Sequence, residues 1–148
     1  METVRDEVRR APELGLPAHL TLQLFEGDEV IFSSGKHWLL PLFDLEEFFA
    51  QGGLDPARTL LVDRVTGRAA ALMVARLGIK ELHTLVLSRR ALPVLEQHGI
   101  RGTCRELVDH ILCTTETLFD QDQDLDAVWS HLQERRLRAA SDVGVGNQ

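Results

Sequence analysis

The chain is 148 residues long, with 44% hydrophobic residues, 26% charged residues and a formal net charge of −7. That length suits one domain able to bury its own core, and the acidic balance argues against a surface that grips polyanions by displacing their counterions. No run reaches the ~18 apolar residues of a membrane span, METVRDEVRR lacks the apolar stretch of a secretory signal, and two cysteines, Cys104 and Cys113, are too few for a disulfide scaffold.

Residues 2–10 have the spacing of a short amphipathic helix, and Pro12, Gly15 and Pro17 then break the chain. Leu20, Leu22 and Leu24 alternate with Thr21 and Gln23, which predicts a half-buried strand. Glu26-Gly27-Asp28 turns it into a second arm around Val30, Ile31 and Phe32. Pro41 suits the first turn of a helix over 41–50, with Leu42, Leu45, Phe48 and Phe49 on one face and Gly52-Gly53 as its stop. Thr59 to Val62 reads as a strand buried on both faces. GRAAALMVARL, residues 67–77, follows as a helix apolar nearly all round, with Gly78 as its cap. Leu82 to Leu87 predicts another buried strand, and Ser88 an N-cap for a helix over 89–98. A short strand near 100–104, a helix over 105–112 and a helix over 125–137 complete the series.

Strands alternating with helices of this kind predict an α/β fold. The expected architecture is a three-layer α-β-α sandwich on a mixed five-stranded sheet, with an N-terminal antiparallel hairpin. The expected organisation is an N-terminal helix and linker over 1–18, the α/β domain over 19–138, and a flexible tail over 139–148.

The strongest chemical feature is Asp63-Arg64-Val65-Thr66-Gly67-Arg68, where a buried strand gives way to a buried helix. In open α/β sheets ligands sit at the carboxyl ends of strands, and a helix N-terminus there attracts an anion. Arg68 suits a phosphate or carboxylate, Gly67 a close backbone approach, and Asp63 a ligand hydroxyl or the orientation of Arg68. The plainer alternative is a tight turn with a cap and a solvated arginine. Ser33-Ser34-Gly35-Lys36-His37-Trp38 is a second junction with anion-binding residues, read by itself as a solvated loop whose Trp38 plugs the core. Ser88-Arg89-Arg90 is a third. Neither a phosphate-binding GxxxxGK[ST] nor a GxGxxG is present. Cys104, His110 and Cys113 fall short of the four ligands of a structural zinc, so no metal or cofactor is expected. Cys113 with Glu116 is a weak candidate for a reactive thiol, because the carboxylate would raise the thiol pKa.

The ordered motifs SSGK…PL, LVDRVTGRAAALMV, LVLSRRALPVLEQHGI and CTTE resemble an uncharacterised bacterial domain-of-unknown-function family with a cytidine-deaminase-like fold. Asp63, Gly67, Arg68, Ala69 and Ala71 match one family motif, Ser88 the next, and Cys113 and Glu116 the last, where Cys-Thr-Thr-Glu replaces Cys-Pro-Met-Glu. The resemblance covers roughly residues 19–135. It implies a nucleotide-shaped pocket. Zinc deaminases need H-x-E and P-C-x-x-C; no histidine here precedes glutamate by two residues, and Thr66-Gly67-Arg68-Ala69-Ala70 aligns with the second motif. Zinc-dependent deamination is therefore expected to be absent.

The expectation is a zinc-free, cytoplasmic, deaminase-like domain that binds a small anionic ligand such as a nucleotide through Ser34, Lys36, Asp63, Gly67, Arg68 and Ser88. The alternatives are a thiol-dependent enzyme using Cys113, and a non-enzymatic assembly module. The latter would form a homodimer through the Trp129 face of helix 125–137 or the 41–50 face. Low aromatic content, 5% with no tyrosine, argues against stacking on single-stranded nucleic acid. Residues 58–105 carry 9 basic and 3 acidic residues, so a local positive field sits inside an acidic protein.

Overall fold

The structure is a computed structural model that describes residues 8–10, 15–111 and 124–146. Leu22–Glu26 forms β2 and Glu29–Ser34 forms β3, joined by a turn with Gly27 at φ 61°. The hairpin is antiparallel, with a register shift between Leu24 and Phe25. β4 (Leu60–Thr66), β5 (Glu81–Ser88) and β6 (Arg101–Val108) run parallel to one another, and β2 joins them by pairing antiparallel to β4. This is the expected mixed five-stranded sheet with its hairpin. A further strand, β1 (Val8–Arg10), pairs parallel with β6, so the full order is β1-β6-β5-β4-β2-β3.

Three expectations are corrected. Val8–Arg10 is strand rather than helix, because the outer edge of β6 offers unpaired backbone groups that those residues satisfy. Residues 105–108 are strand too: β6 pairs with β5 as far as Ser88↔Val108, and that ladder overrides local helix propensity. The last helix, expected to end at 137, runs on to Gly146.

Four α-helices accompany the sheet among the described residues: α1 (Leu40–Ala50), α2 (Arg68–Leu77), α3 (Leu92–Gln97) and α4 (Leu125–Gly146). Arg89–Ala91 is a separate 3-10 turn, so the expected helix 89–98 is split. Pro41 sits in the first turn of α1, where a missing N–H leaves no bond unmade. α2 stops at Gly78, whose φ of 86° is a left-handed conformation that a side chain would strain.

The core forms where matching rows of the sheet meet the helices. Leu24, Leu61, Leu82 and Gly102 are cross-strand neighbours, as are Leu22, Asp63, Thr84 and Cys104 two residues along. The leucines of these rows are buried with residues 69–74 of α2, Leu42, Phe43 and Leu45 of α1, and Val128, Trp129 and Leu132 of α4. Trp129 packs 4.8 Å from Phe43, and the Arg76 guanidinium lies 4.4 Å over the Trp129 ring. Arg76 also donates to Glu46 at 2.5 Å and to Asp126 at 3.0 Å, which ties α2 to α1 and α4. The faces of α1 and α4 considered for dimerisation are thus packed inside this chain.

Leu61→Ala should cost ~2–5 kcal/mol of stability, because a fully buried central-strand side chain leaves a cavity. Val30→Thr, on the exposed edge strand β3, should change stability by no more than ~0.5 kcal/mol. Urea-unfolding midpoints of the two variants check the contrast.

Candidate functional site

Two antiparallel pairings in succession, β4 with β2 and β2 with β3, give β3 the direction of β4. The loop after β3 therefore emerges at the same end of the sheet as the carboxyl ends of β4, β5 and β6. There a cavity of about 630 Å³ opens. Its walls include Val65, Val86 and Val108 from the three parallel strands, and Leu39, Pro41 and Leu42 from the start of α1. Its polar lining includes Lys36, His37, Asp63, Arg64, Arg68 and His110.

The N-terminus of α2 forms part of the same wall through Gly67, Arg68, Ala69 and Ala70. Its N-cap residue is Gly67, which brings no side chain to cap the helix. A helix leaves the N–H groups of its first turn without intrahelical acceptors, so a partial positive charge faces the cavity. Arg68 adds a guanidinium that is itself only 6% exposed. Arg64 is anchored away from the centre, donating to the carbonyls of Leu20 at 2.7 Å and Pro17 at 2.9 Å.

The loop 35–38 is held close to the body of the protein. A Cβ on Gly35 would stand 2.8 Å from the His19 carbonyl, so only glycine lets these strands of chain approach. Ser34 accepts from the Lys36 backbone N–H at 3.1 Å, and the Thr21 hydroxyl lies within hydrogen-bond reach of the carbonyls of Ser34 and Lys36. The Lys36 ammonium pairs with Asp44 at 2.8 Å on the rim. Trp38 is corrected from a core plug to a rim residue. It is 38% exposed and lines the cavity, with a backbone φ of 60° that a bulky residue rarely adopts.

Four of the six expected ligand residues, Lys36, Asp63, Gly67 and Arg68, line this one cavity. Ser34 and Ser88 are not among the lining residues. Ser34 shapes the loop, and Ser88 is fully buried and accepts from the Arg90 N–H at 3.1 Å, the capping role its sequence context also suggested. Cys113 and Glu116 lie outside the described residues. Trp38, Val86 and Val108 also line the cavity and were not among the expected residues; a tryptophan beside a loop of hydroxyls, glycine and lysine was the one available signal. Among the described residues no group of three His, Cys, Asp or Glu could hold a metal ion, and no helix is long and apolar enough to cross a membrane.

Asp63 belongs to a core-facing row of the sheet, yet it is acidic. Burial pushes its carboxyl up to about 7, against the Thr66 hydroxyl, backbone N–H groups and the Arg64 charge, which all favour the ionised form.

With this geometry in view, comparison with known proteins places the chain. Residues 18–135 match the family described as a domain of unknown function, DUF1893, and the chain belongs to that family. A crystal structure of a DUF1893 family protein, TM1506 from Thermotoga maritima, has a similar fold: TM-score 0.68 at 22% identity, covering 78% of this chain and 80% of that one. No curated protein matches the chain.

Because Asp63 holds its proton to about 7 when folded and releases it near 3.8 otherwise, the folded state binds more protons between those values. Its contribution to stability is full below 3.8 and is lost as pH rises to about 7. The amide introduced by Asp63→Asn cannot titrate. The stability of wild type should therefore fall relative to that variant across the same window, by no more than ~1.4 kcal/mol per pH unit. Urea titrations of both proteins at stepped pH measure the difference.

Proposed function

We propose that this protein binds a small anionic ligand, a nucleotide or nucleotide-derived group, in a zinc-free pocket of cytidine-deaminase-like type. The observation that carries the reading is the convergence of Lys36, Asp63, Gly67 and Arg68, from two separate strand-to-helix junctions, on one apolar-walled cavity. Such a cavity suits a ligand with a ring to bury and a charge to hold.

In this reading Arg68 and the amides of residues 67–70 hold the phosphate or carboxylate. Lys36 adds positive charge at the rim, and Asp63 accepts from a ligand hydroxyl. Trp38 covers one face of a planar ring, with Val65, Val86 and Val108 as the apolar floor. Ser34 acts through the loop it braces, and Ser88 through the turn it caps. The missing H-x-E and P-C-x-x-C motifs favour binding without zinc-dependent deamination.

Titration calorimetry of the full chain against AMP, ADP, ADP-ribose and the matching nucleosides tests the proposal. The phosphate-bearing compounds should bind more tightly than the nucleosides. Arg68→Ala should weaken them at least about tenfold, as expected for loss of a hydrogen-bonded charge, with circular dichroism checking that the variant is folded. No binding by any compound, or binding indifferent to Arg68→Ala in a folded variant, overturns the reading. The protein has two tryptophans. In Trp129→Phe, AMP should quench the emission of Trp38; an unchanged spectrum at saturation removes Trp38 from the site.

A further inference from the structure

Asp63 touches the first of two buried hydroxyls that lead back to the cavity wall. Its Oδ2 is 2.9 Å from Thr66 Oγ1, Thr66 Oγ1 is 3.1 Å from Thr84 Oγ1, and Thr84 Oγ1 is 3.0 Å from the Val86 carbonyl. These are three oxygen–oxygen contacts in series, and each needs one hydrogen. Each threonine hydroxyl supplies one, and the carbonyl supplies none. All three contacts can be hydrogen bonds together only when the third hydrogen sits on Asp63. They are then directed from Asp63 to Thr66, from Thr66 to Thr84, and from Thr84 to Val86. The other carboxyl oxygen, Oδ1, stays an acceptor for the Arg64 backbone N–H at 2.9 Å. The Val65 backbone N–H also donates to this carboxyl, and a neutral acid accepts such bonds while its own hydrogen goes to Thr66.

Loss of that proton reverses the chain. Thr66 must turn to donate to the carboxylate, and Thr84 then either turns to Thr66 and abandons the Val86 carbonyl, or leaves the Thr66 contact without a hydrogen. Both threonines are fully buried, so water cannot supply a hydrogen missing between them.

We propose that this hydroxyl chain couples ligand binding to a proton: the cavity takes its anion with Asp63 in the neutral acid form and loses affinity when Asp63 ionises. Among the described residues Asp63 is the one carboxyl that lines the cavity. The charged and titratable groups around it are Arg64 on its own strand, Arg68 on α2, Lys36 and His37 on the loop after β3, and His110 beyond β6. Its cross-strand neighbours, Leu22 and Thr84, bring no charge. Protonation of Asp63 therefore removes the negative charge these groups face and leaves a wall suited to an anion. By linkage, an anion that binds the neutral form draws a proton from solvent onto Asp63 Oδ2.

The chain itself stands on the ligand-free protein, whereas its effect on ligands rests on the anion-binding reading above. Carbon-detected NMR titration of the aspartate carboxyls, assigned with Asp63→Asn, separates the two. Asp63 should titrate near 7, well above the ordinary range. Thr84→Val frees the Thr66 hydrogen to donate to the carboxylate, so the Asp63 midpoint should fall. Simple burial predicts the opposite, because a methyl in place of a hydroxyl makes the surroundings more apolar. Thr84→Ala carries the same expectation if the valine variant does not fold, and Thr84→Ser should leave the midpoint unchanged. An Asp63 midpoint near the ordinary aspartate value, or a midpoint that Thr84→Val and Thr84→Ala raise or leave alone, overturns the proposed chain. AMP calorimetry then reads the coupling: wild type should lose at least about threefold more affinity than Asp63→Asn between about pH 6 and about pH 8, since the phosphate's own titration is common to both. Equal losses in the two proteins overturn the coupling, and absence of AMP binding in both overturns the anion reading while the carboxyl titration still judges the chain.

Discussion

Seven consecutive residues at the start of α2, Arg68 to Val74, are buried, so this helix has no face that can be left to water. A ten-residue helix of that kind is stable only when other elements close around it. The sheet rows of Leu24, Leu61 and Leu82 cover it on one side, and α1 and α4 meet around it through Phe43 and Trp129. Arg76, at its solvent-facing end, joins Glu46 and Asp126 and lies over the Trp129 ring. The burial of α2 sets the arrangement of the other helices, and its N-terminus becomes the wall of the cavity.

That placement has an electrostatic consequence. The strand leading into α2 must put Asp63 in a core-facing row, between Leu22 and Thr84. An ionised carboxylate is expensive there unless it is paired or accepts several hydrogen bonds. The threonines of β4 and β5 answer this need with a polar patch inside an apolar layer. Cavity, uncapped helix end and buried acid thus follow from one requirement, that a short strand-to-helix connection pass through the core. The similarity to the Thermotoga maritima structure, at 22% identity, shows that this fold accommodates much sequence change.

Much of this was legible in the chain. Alternation at Leu22 and Leu24 marked β2, the proline and apolar spacing marked α1, and the apolar run from Ala69 to Ala75 marked α2. The misreadings share a cause. Val8–Arg10 and residues 105–108 are strand because of partners distant in sequence, and a periodicity argument sees only near neighbours. Trp38 looked like core because tryptophan is large and apolar; in the structure it has a left-handed backbone and stands on the rim, 38% exposed. Ser88 carried two readings, cap and ligand residue, and the structure shows its hydroxyl in the first.

The sequence by itself determined the α/β class, the family and the identity of the two polar junctions, because periodicity, glycine punctuation and short motifs act over a few residues. Only the tertiary structure decided that the junctions meet. Their meeting depends on the direction of β3 relative to β4, which two antiparallel pairings establish and no local pattern encodes. The same holds for Asp63. Its acidity was plain in the sequence, but its raised pKa comes from burial, which outweighs the Thr66 hydroxyl, the backbone N–H groups and the Arg64 charge that favour the ionised form.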